Sequence, residues 1–310
     1  MMALFNFKKR DQDAERATGQ IEGFLQGFSI EVMPRTAAKV ADFRELLPNG
    51  TRVYIAHIDG TPISDMVATA KRLNADGFNV MPHFPARIIK NRTTLADWIA
   101  RYQGEANVKQ GLLLAGGVAT PHGDFENSMQ LLETGFFDAG GFTRLHVAGH
   151  PEGSRDIDPD GGDRAVMTAL RWKQAFSERS DAKMALVTQF CFDANPIITW
   201  SDALHAANIT LPVHIGIAGP AKLQTLIKFA ATCGVGPSMK VLQKRAMDVT
   251  KLLLPYEPTK VLAKLAAHKA THPDSNIAQV HFFPLGGIAT NAEWAVANGG
   301  ATGIPAARNG

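Results

Sequence analysis

Short runs of successive apolar residues recur along the chain, separated by longer segments whose apolar residues return every three or four positions. The runs predict strands near residues 27–33, 52–58, 78–83, 110–115, 143–148, 183–190, 212–217 and 278–283. Apolar residues on consecutive positions suit parallel strands covered on both faces. The segments Ser64 to Ala75, Thr94 to Tyr102, Ala165 to Phe176 and Ala221 to Ala231 carry the helical period, with Gly or Asn near their ends.

Eight strand-then-helix units with no linker between them predict a (β/α)8 TIM barrel, for which about 250 residues is typical. The expected division is a polar lead-in over residues 1–25 and a single catalytic barrel over 26–310. A doubly wound open sheet is the competing architecture, but no Gly-x-Gly-x-x-Gly turn follows the first strands. Gly234 to Thr271 is expected to hold extra helices between strands seven and eight, where Pro255 and Pro258 break the pattern.

Composition narrows the partners. The 310 residues are 45% hydrophobic, and 32 basic against 29 acidic residues leave a formal net charge of +3. The charges are mixed along the chain, so there is no polybasic stripe for nucleic acid or anionic lipid. Cys191 and Cys233 form neither a Cys-x-x-Cys pair nor a disulfide framework, which fits a reducing cytosol. The first ten residues lack the apolar core of a signal peptide, and no run of about 18 apolar residues could span a membrane. A cytoplasmic location is expected. Helix surfaces apolar for packing and for partners read alike, so a homo-oligomer is compatible with the pattern.

In such a barrel the chemistry sits at the carboxyl ends of the strands. The polar and glycine positions that fall there are Glu31, His57, His83, Gly116-Gly117, His150, Gln189 and Gly216 to Gly219. Glu31 lies between Ile30 and Val32, and an acid so placed is paired, protonated or functional. Desolvation is expected to raise its pKa and fit it to donate a proton near neutrality; a carboxylate on a solvent-facing rim is the plainer alternative. Gln189 offers two donors and an acceptor to a flat heterocycle, or else caps the loop after its strand.

His57, His83 and His150 come from separate strands without His-x-His or His-x-x-x-His spacing, so no metal site is expected. Contact with a flavin or phosphate, or a structural role, suits them better. Ala115-Gly116-Gly117 would let a planar ring or a pyrophosphate approach the backbone, or simply turn the chain. Arg171 and Lys173 could neutralise a diphosphate or belong to an exposed basic helix face. Cys191, between Phe190 and Phe192, reads as a small core residue.

Taken in order, these pieces resemble the methylenetetrahydrofolate reductase family. The resemblance rests on Ser29-Ile30-Glu31-Val32-Met33-Pro34-Arg35, Pro82-His83, Val147-Ala148-Gly149-His150-Pro151-Glu152, Leu170-Arg171-Trp172-Lys173, Thr188 to Asp193, Gly216-Ile217 and His281-Phe282-Phe283. It extends over about residues 25 to 300. It implies a flavoprotein oxidoreductase of one-carbon metabolism and methionine biosynthesis. Such an enzyme holds FAD, takes NADH or NADPH as co-substrate, and interconverts 5,10-methylenetetrahydrofolate and 5-methyltetrahydrofolate.

The resemblance also implies roles. Glu31 matches the family's general acid and Gln189 the amide that binds the pterin. His83, Ala115, Gly116, Gly117, Ala148, His150 and Lys173 fall where that family lines the FAD; His57 and Arg171 join them as expected cofactor contacts on their own chemistry. Leu223 stands where an aromatic residue commonly stacks on the substrate. Two further departures are Ala115-Gly116-Gly117 in place of Arg-Gly-Asp, and Gly287 in place of an arginine. They keep two other readings open: a catalytically weak folate-binding partner subunit on the same barrel, and a barrel flavoenzyme of the proline dehydrogenase type.

Overall fold

The computed structural model describes residues 21–233, 235, 239–247 and 254–300. Eight parallel strands close into a barrel in sequence order. They are β1 (Ser29–Val32), β2 (Arg52–Ile55), β3 (Asn79–Pro85), β4 (Gln110–Leu114), β5 (Arg144–Gly149), β6 (Lys183–Thr188), β7 (Val213–Ala218) and β8 (Ile277–Phe283). Each expected strand is present, and β8 pairs with β1 through Ser29–His281 and Ile30–Phe282 to complete the ring.

The two-residue period of a strand sorts the side chains. Ile30, Val53, Ile55, Leu113, Val147, Ile215 and Phe282 join the large core between strands and helices. Their alternates point into the barrel, where Tyr54, Met81, Leu112 and Val187 form a separate apolar cluster. Histidines share that interior: His146 and His281 are fully buried and His214 is 5% exposed.

The main outer helices are α1 (Ile63–Ala75), α2 (Arg92–Ala106), α3 (Ser128–Glu133), α4 (Arg164–Ser177), α5 (Ala194–Ala206), α6 (Leu223–Thr232), α7 (Met239–Ala246), α8 (Thr259–Thr271) and α9 (Ile288–Ala295). Side-chain caps fix several starts. Asn91 Oδ1 accepts the Thr94 N–H at 2.9 Å before α2, and Asn127 with Gln130 forms a capping box at α3. Asp158 lies upstream of α4, yet its two oxygens accept the Ala165 and Val166 N–H groups at 2.9 Å each. That bond pins the long β5–α4 loop to the helix it precedes.

The expected extra helices after β7 are present. α6 and α7 build a second apolar core from Phe190, Phe192, Leu223, Leu226, Leu242 and Tyr256 above the β6–β8 side of the barrel. An antiparallel bridge between Ala221 and Tyr256 ties the insertion to the end of β7. Most of the lead-in lies outside the described residues, but Ile21 and Leu25 pack into the main core. Among the described residues no helix is long and apolar enough to cross a membrane.

Candidate functional site

Glu31 stands at the barrel mouth with its side chain 18% exposed. Its Oε2 lies 3.2 Å from His83 Nε2 on β3 and 3.8 Å from His281 Nε2 on β8. His281 is oriented from behind by Ser29, whose Oγ is 3.0 Å from Nδ1. Ser29 and Glu31 alternate onto the same face of β1, so one strand holds both the carboxylate and the group that steers its neighbour.

This geometry corrects the expected direction of the Glu31 titration. Burial does push its pKa up, but the charge of His83, the His281 and His83 side-chain contacts and the charge of His281 outweigh it, bringing the pKa down to about 2. Glu31 is therefore a carboxylate at neutral pH. Beneath it, the Tyr54 ring packs 4.3 Å from the His281 ring, and Tyr54 Oη lies 2.6 Å from His146 Nδ1. His146 in turn meets His214 edge-on at 4.6 Å. Burial keeps all three imidazoles, His146, His214 and His281, below their usual pKa.

Beside the mouth, at the ends of β4 and β5, a cavity of about 630 Å³ runs toward α4. Four of the expected residues meet there: Ala115, Ala148, His150 and Lys173. Lys173 is 5% exposed and donates from Nζ to the Ala148 carbonyl at 2.8 Å. Burial lowers its pKa to about 8, and no carboxylate pairs with it among the described residues. His150 is pushed down to about 4, first by burial and then by the charge of Lys173, with Asp156 acting in the opposite sense. Small residues beside a buried amine make a space for a ligand with a flat apolar part and an anionic part.

Other expected contacts fall elsewhere. His57 is stacked on Trp98 of α2 at 4.7 Å, and its Nε2 lies 3.0 Å from the Thr61 carbonyl. It serves the helix layer, because its strand position faces outward to α2. Arg171 is exposed on the outer face of α4, while Lys173 is buried. Two residues along a helix cannot share one face, so only the lysine reaches the cavity. Leu223 is 3% exposed inside the second core, which withdraws it from the open mouth. His83 joins Glu31 instead of lining the cavity, and Gly116 and Gly117 follow Ala115 just outside it. Gly116 adopts φ +101, a conformation that glycine tolerates best.

Gln189 is exposed at the end of β6, and its Oε1 accepts the Phe190 N–H at 3.1 Å. The loop-capping role is thus present, and the exposed amide's NH2 has no partner among the described hydrogen bonds. Cys191 is 1% exposed and sits in the core, as expected. Among the described residues no group of three His, Cys, Asp or Glu side chains is arranged to hold a metal ion.

Arg87, which lines the cavity and pairs with Asp156, was not expected from the sequence, nor were His146 and His214; His281 entered only within the motif His281-Phe282-Phe283, without a role. The histidines had a readable signal. His146, His214 and His281 each occupy the inward phase of their strands' alternation.

No family model matches the chain. A solved structure similar in fold is described as an uncharacterized protein from Clostridium thermocellum that binds two copies of 5-methyl-5,6,7,8-tetrahydrofolic acid. It is 10% identical with a TM-score of 0.52, covering 91% of this chain and 96% of that one. The carboxyl transferase domain of Rhizobium etli pyruvate carboxylase matches 93% of this chain and 46% of that one at 10% identity, with a TM-score of 0.46 that carries no argument. The first likeness shows the fold alone.

Proposed function

We propose that the chain is a flavoprotein oxidoreductase that interconverts 5,10-methylenetetrahydrofolate and 5-methyltetrahydrofolate, with NADH or NADPH given up in the reductive sense and NAD+ or NADP+ taken up in the oxidative one. One juxtaposition carries the reading. The Glu31 carboxylate, with its two imidazoles, stands at the same carboxyl end of the barrel as a cavity bounded by Ala115, Ala148, His150 and Lys173. These are positions at which the resemblance implies a proton donor and a flavin dinucleotide. The folate-binding barrel from Clostridium thermocellum supports the substrate class.

The cavity suits FAD. Ala115 and Ala148 leave room for a flat ring, and Lys173 is a buried cation whose described acceptor is only a backbone carbonyl. When bound, the flavin supplies the two-electron chemistry. The protein's own residues bind, orient and manage the proton. Gln189 presents its NH2 to the pterin while its oxygen holds Phe190. Glu31 is charged while water reaches it; a folate ring covering the mouth removes that water and raises the cost of the carboxylate. Proton transfer to or from the substrate then runs through Glu31, with His83 and His281 fixing the carboxyl orientation.

A second reading has its own observation. A Glu31 held near pKa 2 and the absence of a strand-four carboxylate suit a barrel that binds folate without turning it over. Anaerobic spectroscopy separates the two. A catalyst is yellow, bleaches with NADH or NADPH and recovers its colour with methylenetetrahydrofolate; a binding protein is colourless and takes up folate unchanged.

A further inference from the structure

We propose that Arg87 is the anion anchor of the cavity beside β4 and β5, and that Asp156 competes with a ligand's phosphate for its guanidinium. This rests on reading that cavity as the seat of a dinucleotide. Arg87 Nη1 and Nη2 donate to the two Asp156 carboxylate oxygens at 3.1 and 2.9 Å. Such a fork matches a phosphate as well as it matches a carboxylate.

The guanidinium is aimed before any ligand arrives. Arg87 follows β3, and its N–H donates to the Ala115 carbonyl at 2.9 Å, joining it to the end of β4. Its Nε and Nη1 donate to the carbonyls of Glu126 and Val118 at 3.1 and 3.2 Å. The arginine side chain is 16% exposed, whereas that of Asp156 is 54% exposed. One partner is built into the wall and the other hangs on a loop.

Three further features mark the Asp156 carboxylate as a stand-in for a ligand anion. Arg87, Arg164 and Lys173 line the cavity together with Glu126, Asp156, Asp158 and Asp160, and among the described residues Lys173 donates only to a backbone carbonyl, which leaves it open to a ligand anion. His150, also in the lining, responds to the charges of both Lys173 and Asp156. Asp158 cannot take over, because its oxygens are held by the Ala165 and Val166 amides. A half-exposed ion pair is only weakly stabilising, so a multiply charged phosphate can displace it.

The test uses the full chain with ADP, which carries a diphosphate but no flavin, followed by calorimetry or by the fluorescence of Trp172 in the cavity lining. Arg87→Ala is expected to weaken ADP binding by about 10- to 100-fold, the usual loss for charged hydrogen bonds. Arg87→Lys keeps the charge without the fork and falls between. Asp156→Ala frees the guanidinium and tightens binding several-fold, whereas a merely structural strap would loosen the cavity and weaken it. Arg171→Ala, on the outer face, changes nothing. Failure of the wild-type chain to bind ADP, unchanged affinity in Arg87→Ala, or weaker binding in Asp156→Ala overturns the proposal. ADP binding that follows Arg87 in a protein that never takes up FAD or riboflavin upholds the anchor and overturns the flavin reading. A flavoprotein whose ADP and FAD affinities ignore Arg87 does the reverse.

Discussion

His83 Nε2 lies 3.2 Å from Glu31 Oε2, the same oxygen that His281 approaches to 3.8 Å. The contact joins β3 to β1 across the mouth and holds the carboxyl in its charged form. Replacing Glu31 by Gln keeps the shape and removes the group we propose for proton transfer. Folate turnover is expected to fall by about 10²–10⁴-fold, the range for general acid–base catalysis. Reduction of bound flavin by the nicotinamide nucleotide stays intact, and stopped-flow measurement of the two half-reactions checks both. Unimpaired folate turnover in Glu31→Gln contradicts the role.

The buried histidines predict acid lability. His146, His214 and His281 have folded pKa values below the ordinary 6.5, so below that pH the unfolded chain binds protons that the native one refuses. Stability is complete above pH 6.5 and declines as pH falls, by up to about 1.4 kcal/mol per pH unit for each such group. Glu31 adds to the loss lower down, because a carboxyl depressed from 4.5 to about 2 stabilises above 4.5 and ceases to do so as pH drops through 2. Melting temperatures across a pH series measure this. The combined variant Tyr54→Phe, His146→Leu, His214→Leu should decline less steeply between pH 6.5 and 5. An unchanged slope would mean that the interior imidazoles are not the groups responsible.

Gln189 caps its loop, and one substitution separates that contact from the pterin binding we propose for it. Gln189→Glu retains an oxygen for the Phe190 N–H but removes the NH2 donors, so melting is unchanged while folate affinity falls. Gln189→Ala loses both. Equal folate affinity in wild type and Gln189→Glu, measured by calorimetry, would restrict this residue to capping its loop.

Close approach of β6 and β7 depends on Gly216. Its N–H donates to Thr188 Oγ1 at 2.8 Å, and a Cβ there would press into the Thr188 and Gln189 carbonyl oxygens. Gly216→Ala is expected to cost about 1–3 kcal/mol, the range for overpacking. Chemical denaturation reads the loss, and wild-type stability in the variant would show that the strands can part freely.

The barrel was legible because each strand is a local apolar run whose partner is set by order along the chain. Ala115, Ala148, His150 and Lys173 were legible for the same reason: all lie on or directly after β4 and β5 or on the helix that follows. Arg171 could have been set aside from helical geometry alone, being two positions from Lys173. The titration of Glu31 was not readable, since the imidazoles that govern it come from β3 and β8, far away in sequence. Nor was the Arg87–Asp156 pair, because both residues lie beyond strand ends and meet only once two loops have taken their conformations.

The central claim, a flavin-dependent folate oxidoreductase, is tested most directly by following the flavin absorbance of the purified protein under anaerobic conditions. The purified protein is expected to be yellow, to bleach with NADH or NADPH and to recover its colour with methylenetetrahydrofolate, with 5-methyltetrahydrofolate formed in proportion to the colour regained. A colourless protein that binds no flavin, or a reduced flavin that methylenetetrahydrofolate leaves bleached, would contradict it.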